Sequence, residues 1–188
     1  QKSLELVSNM SAVDNILSEM KKRNVKTYLG KKLKCFTENS VETEAEKFNA
    51  DLILFIPGMT GPAWAANSGL TLSEGGFFKA NEFCQVEGQE HVYVAGDAGS
   101  FPGPDWKPKQ AHMADLQAEA AAKNIIDALK LMKVKHTFKT ELICIVDTLT
   151  SGSLVYRSSK HNLMLMKMAP MHWAKKWFEK MYLRAYRK

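Results

Sequence analysis

Residues 91–97 read His-Val-Tyr-Val-Ala-Gly-Asp, and a loop rich in glycine and proline follows them. The apolar part of this stretch predicts a buried strand, and the loop leads into a strong Ala-rich helix over 109–130. Ligands of open α/β sheets bind beyond the carboxyl ends of the strands, which is where Gly96 and Asp97 stand. The Asp97 carboxylate therefore either accepts hydrogen bonds from a ligand hydroxyl or only caps a turn.

The helix that follows begins near Lys109, Gln110 and Ala111. Backbone amides at a helix N-terminus favour negative charge on whatever lies in front of them. We therefore expect these three residues, together with Gly96 and Asp97, to line a ligand site.

The rest of the chain alternates between apolar runs of strand length and helical periodicity, which indicates an α/β fold. We predict helices over 11–22 and 171–187, strands over 25–28, 32–36 and 139–146, and a fully buried parallel strand over 50–58 that ends in Pro57-Gly58.

The composition is that of a globular protein of one or two small domains, since 45% of the 188 residues are hydrophobic and 24% are charged. No run of 18 uncharged apolar residues occurs, and the first residues lack the pattern of a signal peptide. Because the chain begins without Met, inside what reads as a working element, we expect it to be a fragment.

The net charge of +6 is concentrated at the C-terminal end. Residues 151–188 hold nine Lys/Arg and one Glu, a net of +8, whereas 1–150 hold 17 basic and 19 acidic residues, a net of −2. Such a tail favours an anionic partner, either a membrane surface or nucleic acid. On a helical projection the large apolar side chains of 171–188 gather on one side, which favours an in-plane membrane helix over nucleic-acid binding; packing on its own domain remains an alternative.

Several stretches together resemble a known superfamily. Residues 50–58 and 92–97 resemble two signatures in the second half of the pyridine nucleotide-disulfide oxidoreductases. Within that superfamily, 56–62 and 107–113 are most similar to sulfide:quinone oxidoreductases, although Gln110-Ala111 stands where that family has Thr-Gly. Residues 141–147 resemble the segment with the C-terminal redox cysteine, and 172–180 resemble the membrane-associated tail.

The resemblance implies the C-terminal half of a flavoprotein with two Rossmann-like, FAD/NAD(P)-binding domains and an amphipathic tail. The glycine-rich fingerprint for the flavin pyrophosphate is absent from these residues. We accordingly expect 1–48 to finish the second nucleotide-binding domain, 49–132 to belong to the FAD domain and 133–188 to form a C-terminal domain with the membrane helix.

The same resemblance implies the chemistry. FAD is the expected cofactor, with Gly96, Asp97, Lys109, Gln110 and Ala111 beside it. Cys144 is the expected redox cysteine, its partner cysteine lying outside this chain, and Ile143 and Trp173 are expected on the quinone side. The expected substrates are sulfide and quinone. The expected protein is a bacterial homo-oligomer that lies at the surface of a cell membrane and does not bind nucleic acid.

Two alternatives stay open. A type II NADH:quinone oxidoreductase shares the fold and the tail but needs no cysteine pair, and a non-catalytic α/β module would only dock on an anionic surface.

Other chemistry-bearing residues are interpreted as structural. Cys35 and Cys84 match no redox position, and His112, which could move a proton near the flavin or quinone, is more readily a spectator. Met164, Met166, Met168 and Met171 suit adaptable packing better than metal binding. No metal site is expected.

Overall fold

The computed structural model describes residues 10–147 and 152–185. The chain divides into two compact units, Gln1–Met59 and Thr60–Lys188. Helices and strands both contribute, so the mixed α/β content predicted from the sequence is confirmed. The three domain ranges remain a prediction.

The first unit combines one helix with a small antiparallel sheet. Helix α1 spans Met10–Lys22, and the sheet has the order β1-β2-β3, with β1 at Leu33–Thr37, β2 at Ser40–Thr43 and β3 at Lys47–Asn49. Lys21 and Lys22 lie in the last turn of α1, where positive charge complements the helix dipole.

Two predicted strands of this unit are wrong. Residues 25–28 form no strand, and the Tyr28 ring packs instead on Phe48 with centroids 4.5 Å apart. Residues 50–58 form no strand and are mostly exposed, with Leu54 at 81% and Ile56 at 92%. A buried strand needs a neighbouring strand for its backbone groups, and none of the described strands pairs with 52–58.

The second unit begins with irregular chain that contains three short elements. A 3-10 helix spans Ala63–Asn67, and the two-residue strands β4 (Phe78–Lys79) and β5 (Gly99–Ser100) pair in parallel. The strand predicted over 91–97 is wrong: Tyr93 makes a single bridge to Gln85, and Val94 N donates to Cys84 O at 2.9 Å. Among the described residues, the backbone of this stretch pairs with the local hairpin and with no strand of a parallel sheet.

Helix α2, Ala111–Leu129, supplies the main packing surface of this unit. Its residues Ala120 and Ala121 are buried against a cluster that includes Cys84 and Phe101. The small alanine side chains allow this close approach, which explains the Ala-rich sequence of the predicted helix.

The C-terminal part is an antiparallel sheet followed by a helix. Strands β6 (Glu141–Asp147), β7 (Gly152–Ser158) and β8 (Asn162–Met168) lie in that order, and α3 spans Ala169–Ala185. The predictions of β6 and α3 are confirmed within a few residues. Strand β8 was not predicted, because the methionines at 164, 166 and 168 were interpreted only as packing residues, although their alternation is the strand period.

Candidate functional site

The Gly96-Asp97 turn packs against the beginning of α2. Gly96 has φ +72°, and its N–H donates to Gln117 Oε1 at 2.8 Å. A Cβ at this position would lie 3.3 Å from the Ala114 Cβ, so the close approach and the positive φ both favour glycine. The Asp97 side chain is exposed in the 3-10 turn Gly96–Ala98. The turn therefore presents a carboxylate beside the N-terminal end of α2.

Lys109 fixes the backbone of this turn. Its Nζ donates to the carbonyls of Asp97 and Gly99 at 2.6 and 2.9 Å, and it lies 4.0 Å from the centroid of the Phe77 ring. Burial of the ammonium lowers the Lys109 pKa; the Asp97 carboxylate opposes this shift and Lys107 adds to it. The cation is thus used within the protein to hold the turn closed.

Gln110 is the N-cap residue of α2, yet its side chain makes no capping hydrogen bond. Instead, Nε2 donates to the Ile143 carbonyl of β6 at 3.3 Å, and Oε1 is buried without a hydrogen-bond partner. Ala111, the first residue of the helix, is exposed. The first-turn amides of α2 are therefore not occupied by the Gln110 side chain.

Strand β6 brings Ile143 and Cys144 to the same end of α2. Ile143 is 40% exposed and pairs with Tyr156, whereas Cys144 is partly buried and pairs with the buried Val155. The structure thus places Gln110 next to Ile143, and Lys109 next to Asp97.

Two contacts of this region were missed from the sequence. His112 Nε2 lies 2.6 Å from Glu141 Oε1, and Tyr182 of α3 donates its hydroxyl to Asp115 Oδ2 at 2.8 Å. The partners are 29 and 67 residues apart, so no local pattern signals either pair. His112 is consequently hydrogen-bonded to the strand that carries Cys144.

A family model described as pyridine nucleotide-disulphide oxidoreductase matches residues 6–118, which is more than half of the 188. The chain belongs to this family. The predicted flavoprotein fold and the resemblance to its members are therefore confirmed.

Solved structures of similar fold agree with the family. The sulfide:quinone oxidoreductase of Aquifex aeolicus has a TM-score of 0.80 and 20% identity over 95% of this chain and 46% of that chain. A FAD-dependent pyridine nucleotide-disulphide oxidoreductase of Desulfovibrio vulgaris has a TM-score of 0.57 and 16% identity over 80% of this chain and 39% of that chain. At these identities the likeness is one of fold.

A curated relative is more similar in sequence over a shorter stretch. Ferroptosis suppressor protein 1 of Xenopus laevis is 30% identical over 94 residues, which cover 49% of this chain and 24% of that protein. The chain thus spans about a quarter of that relative's length and under half of the Aquifex enzyme.

The predicted cofactor, FAD, is confirmed at the level of the family, and the Desulfovibrio neighbour is described as FAD-dependent. The residues present fit such a group. An exposed carboxylate at Asp97 suits a hydroxyl, and the first turn of α2 offers amides that its own N-cap side chain does not use.

The three cysteines of this family member differ in their surroundings. Cys35 is exposed and its thiol donates to Glu42 Oε2 at 3.6 Å. Cys84 is fully buried and its thiol donates to the Gln117 carbonyl at 3.5 Å; burial raises its pKa to about 11. Cys144 is partly accessible on β6.

Helix α3 carries the aromatic and basic residues of the predicted tail. Trp173 and Trp177 are 71% and 63% exposed, and Lys176 Nζ lies 5.5 Å from the centroid of the Trp173 ring. Within 10–147 and 152–185, no helix is long and apolar enough to cross a membrane. Nor do those residues contain a cluster of three or more side chains that could ligate a metal.

Proposed function

We propose that the protein is a FAD-dependent oxidoreductase that transfers electrons from sulfide to quinone at a membrane surface. The observation that carries this proposal is the hydrogen bond from Gln110 Nε2 to the Ile143 carbonyl. It joins the helix end proposed to face the flavin to the strand that holds Cys144. The fold shared with the Aquifex sulfide:quinone oxidoreductase supports the same assignment.

Each residue of the proposed site has a distinct part. Asp97 would accept hydrogen bonds from ribityl hydroxyls, and the Gly96 turn would allow the group to approach α2 closely. Lys109 keeps the turn in place through the carbonyls of Asp97 and Gly99. The amides near Gln110 and Ala111 would stabilise negative charge. When bound, FAD supplies two-electron redox chemistry, because it can accept two electrons and pass them on.

Cys144 is the proposed sulfur-handling residue. A sulfur–sulfur bond would form between the Cys144 thiolate and the incoming hydrosulfide only as two electrons leave, by way of a second cysteine outside this chain, to bound FAD, and the hydrosulfide proton would pass to solvent. Sulfide loses two electrons in the overall reaction, and quinone takes up those electrons with two protons. Ile143 and Trp173 are proposed to line the approach of the quinone.

The membrane part of the proposal rests on α3. Its exposed tryptophans and its basic residues have the composition of a helix that lies in the headgroup region of a bilayer. Peripheral attachment to a cell membrane and assembly into a homo-oligomer remain predictions.

Replacing Cys144 with Ser tests the sulfide reaction. A serine hydroxyl cannot form a disulfide or persulfide, so sulfide-driven quinone reduction should fall at least about a hundredfold while FAD content stays unchanged. Stopped-flow absorbance would follow flavin reduction by sulfide. The matched control is Cys35→Ser, because Cys35 is also accessible but lies in the first unit.

Wild-type flavin reduction by sulfide in Cys144→Ser, followed by normal turnover, would contradict the redox role. Reduction by NADH in the same experiment would then identify the type II NADH:quinone oxidoreductase. A purified protein without flavin absorbance would instead favour the non-catalytic module.

Asp97→Ala tests the cofactor site separately. Loss of the exposed carboxylate should weaken FAD binding, so the variant should lose most of its flavin on desalting. Asp105→Ala is the control, since it removes an exposed carboxylate from the neighbouring loop. Stoichiometric flavin in Asp97→Ala after desalting would show that the site assignment is wrong.

A further inference from the structure

A short side-chain hydrogen bond joins the first turn of α2 to the first residue of β6. The His112 and Glu141 side chains, whose Nε2 and Oε1 atoms are 2.6 Å apart, are 39% and 20% exposed. A partly shielded pair of hydrogen-bonded side chains contributes more to stability than a pair at the open surface. The pair therefore attaches the beginning of β6 to α2.

Two weaker contacts join the same short stretches. Gln110 Nε2 donates to the Ile143 carbonyl at 3.3 Å, and the Glu141 N–H points at Met113 Sδ at 3.5 Å. Sulfur is a weak acceptor, and 3.3 Å is long for an amide donor. Of these three contacts, the His112–Glu141 hydrogen bond is the shortest.

Because side chains alternate along a strand, the attachment of Glu141 also fixes the side of the sheet on which Cys144 lies. Glu141 and Ile143 share one face of β6, whereas Leu142 and Cys144 share the other. Leu142 is only 7% exposed, and Val155, which lies opposite Cys144, is 4% exposed. When Glu141 is held, Cys144 is therefore kept on the covered face of the sheet.

We propose that His112 and Glu141 are positioning residues that hold the strand carrying Cys144 against the N-terminal end of α2. The importance of this positioning for catalysis rests on the proposed function, but the positioning itself can be measured without turnover. Without the pair, the first residues of β6 open locally more often and expose the Cys144 thiol.

The rate of alkylation by iodoacetamide, resolved for each cysteine by mass spectrometry, tests this on the FAD-loaded protein. His112→Ala and Glu141→Ala should each raise the Cys144 rate about tenfold, and the double variant should not exceed the singles. The Cys84 rate should stay at the wild-type value. His112→Gln, whose amide can still donate to Glu141, should restore most of the protection.

Glu119→Ala is the matched control. It breaks a side-chain contact of the same length, the 2.6 Å ion pair between Glu119 and Lys123, that lies wholly within α2. In Glu119→Ala, the rate of Cys144 alkylation should equal that of the wild type.

A wild-type Cys144 rate in both alanine variants would overturn the proposal, and so would an equal rise in Glu119→Ala. An equal rise at Cys84 would indicate global unfolding and would also overturn the local role. If Cys144→Ser turned over sulfide normally, the proposed function would fail while the alkylation result would stand.

Discussion

At the scale of single residues, Cys84 shows how burial suppresses the reactivity of a thiol. Its backbone has φ +66°, its side chain is fully buried, and its thiol donates to the Gln117 carbonyl of α2. Desolvation disfavours the thiolate, which raises the Cys84 pKa from 9.0 to about 11. This cysteine is therefore a packing residue, as the sequence indicated.

The raised pKa predicts a pH dependence of stability. The unfolded chain releases the Cys84 proton near its ordinary pKa of 9.0, whereas the folded chain releases it near 11. The contribution to stability is thus complete below pH 9 and is lost as the pH rises towards 11. The wild type should lose roughly 2 kcal/mol more than Cys84→Ala between pH 8 and 11.

Urea unfolding at the two pH values measures this difference, and Cys35→Ala serves as a second reference. Parallel pH curves for the wild type and Cys84→Ala would contradict the raised pKa.

At the scale of elements, α3 is oriented by a hydrogen bond on one side. Tyr182 donates to Asp115 of α2 at 2.8 Å. At about 100° per residue, Trp173 lies on the side of the helix opposite Tyr182, which we call the outer side. Trp177 lies near Trp173. Lys180 and Arg184 fall on that same outer side. The large apolar side chains of α3 therefore do not all share one side, contrary to the helical projection, and the outer side, that of Trp173, combines aromatic rings with positive charge.

This orientation predicts which side of α3 meets a bilayer. Replacing Trp173 and Trp177 with Ala should weaken sedimentation with phosphatidylglycerol vesicles by at least roughly tenfold, because aromatic burial in the interface is lost. Trp64→Ala is the control, since Trp64 is 65% exposed but lies outside the tail. Equal vesicle binding by the double variant and the wild type would exclude this face.

At the scale of the whole molecule, charge is distributed unevenly along the chain. Residues 151–188 carry a net charge of +8, and the remaining residues carry −2. Each basic residue close to an anionic surface contributes about 1 kcal/mol, and salt screens the attraction. Attachment through the tail should consequently be sensitive to ionic strength.

The combined substitution of Lys176, Lys180 and Arg184 by Gln should weaken binding to anionic vesicles about a hundredfold at low salt and flatten its salt dependence. The control replaces three exposed lysines outside the tail, Lys130, Lys133 and Lys135, by Gln. Similar losses in both triple variants would show that net charge, and not the tail, governs binding.

The sequence by itself determined the features that depend on local patterns. Apolar positions spaced three and four apart predicted α1, and alanine enrichment predicted α2. The excess of basic and aromatic residues near the C-terminus predicted α3. These features follow from the preferences of neighbouring residues, which the linear sequence contains.

Only the tertiary structure decided the features that need partners distant in sequence. The apolar runs at 50–58 and 91–97 did not become strands of a sheet, because a strand requires a neighbour to pair its backbone. The pairing of His112 with Glu141 arises in the same way, since 29 residues separate the two. Such contacts depend on how β6 and α2 pack, and local propensity carries no information about that packing.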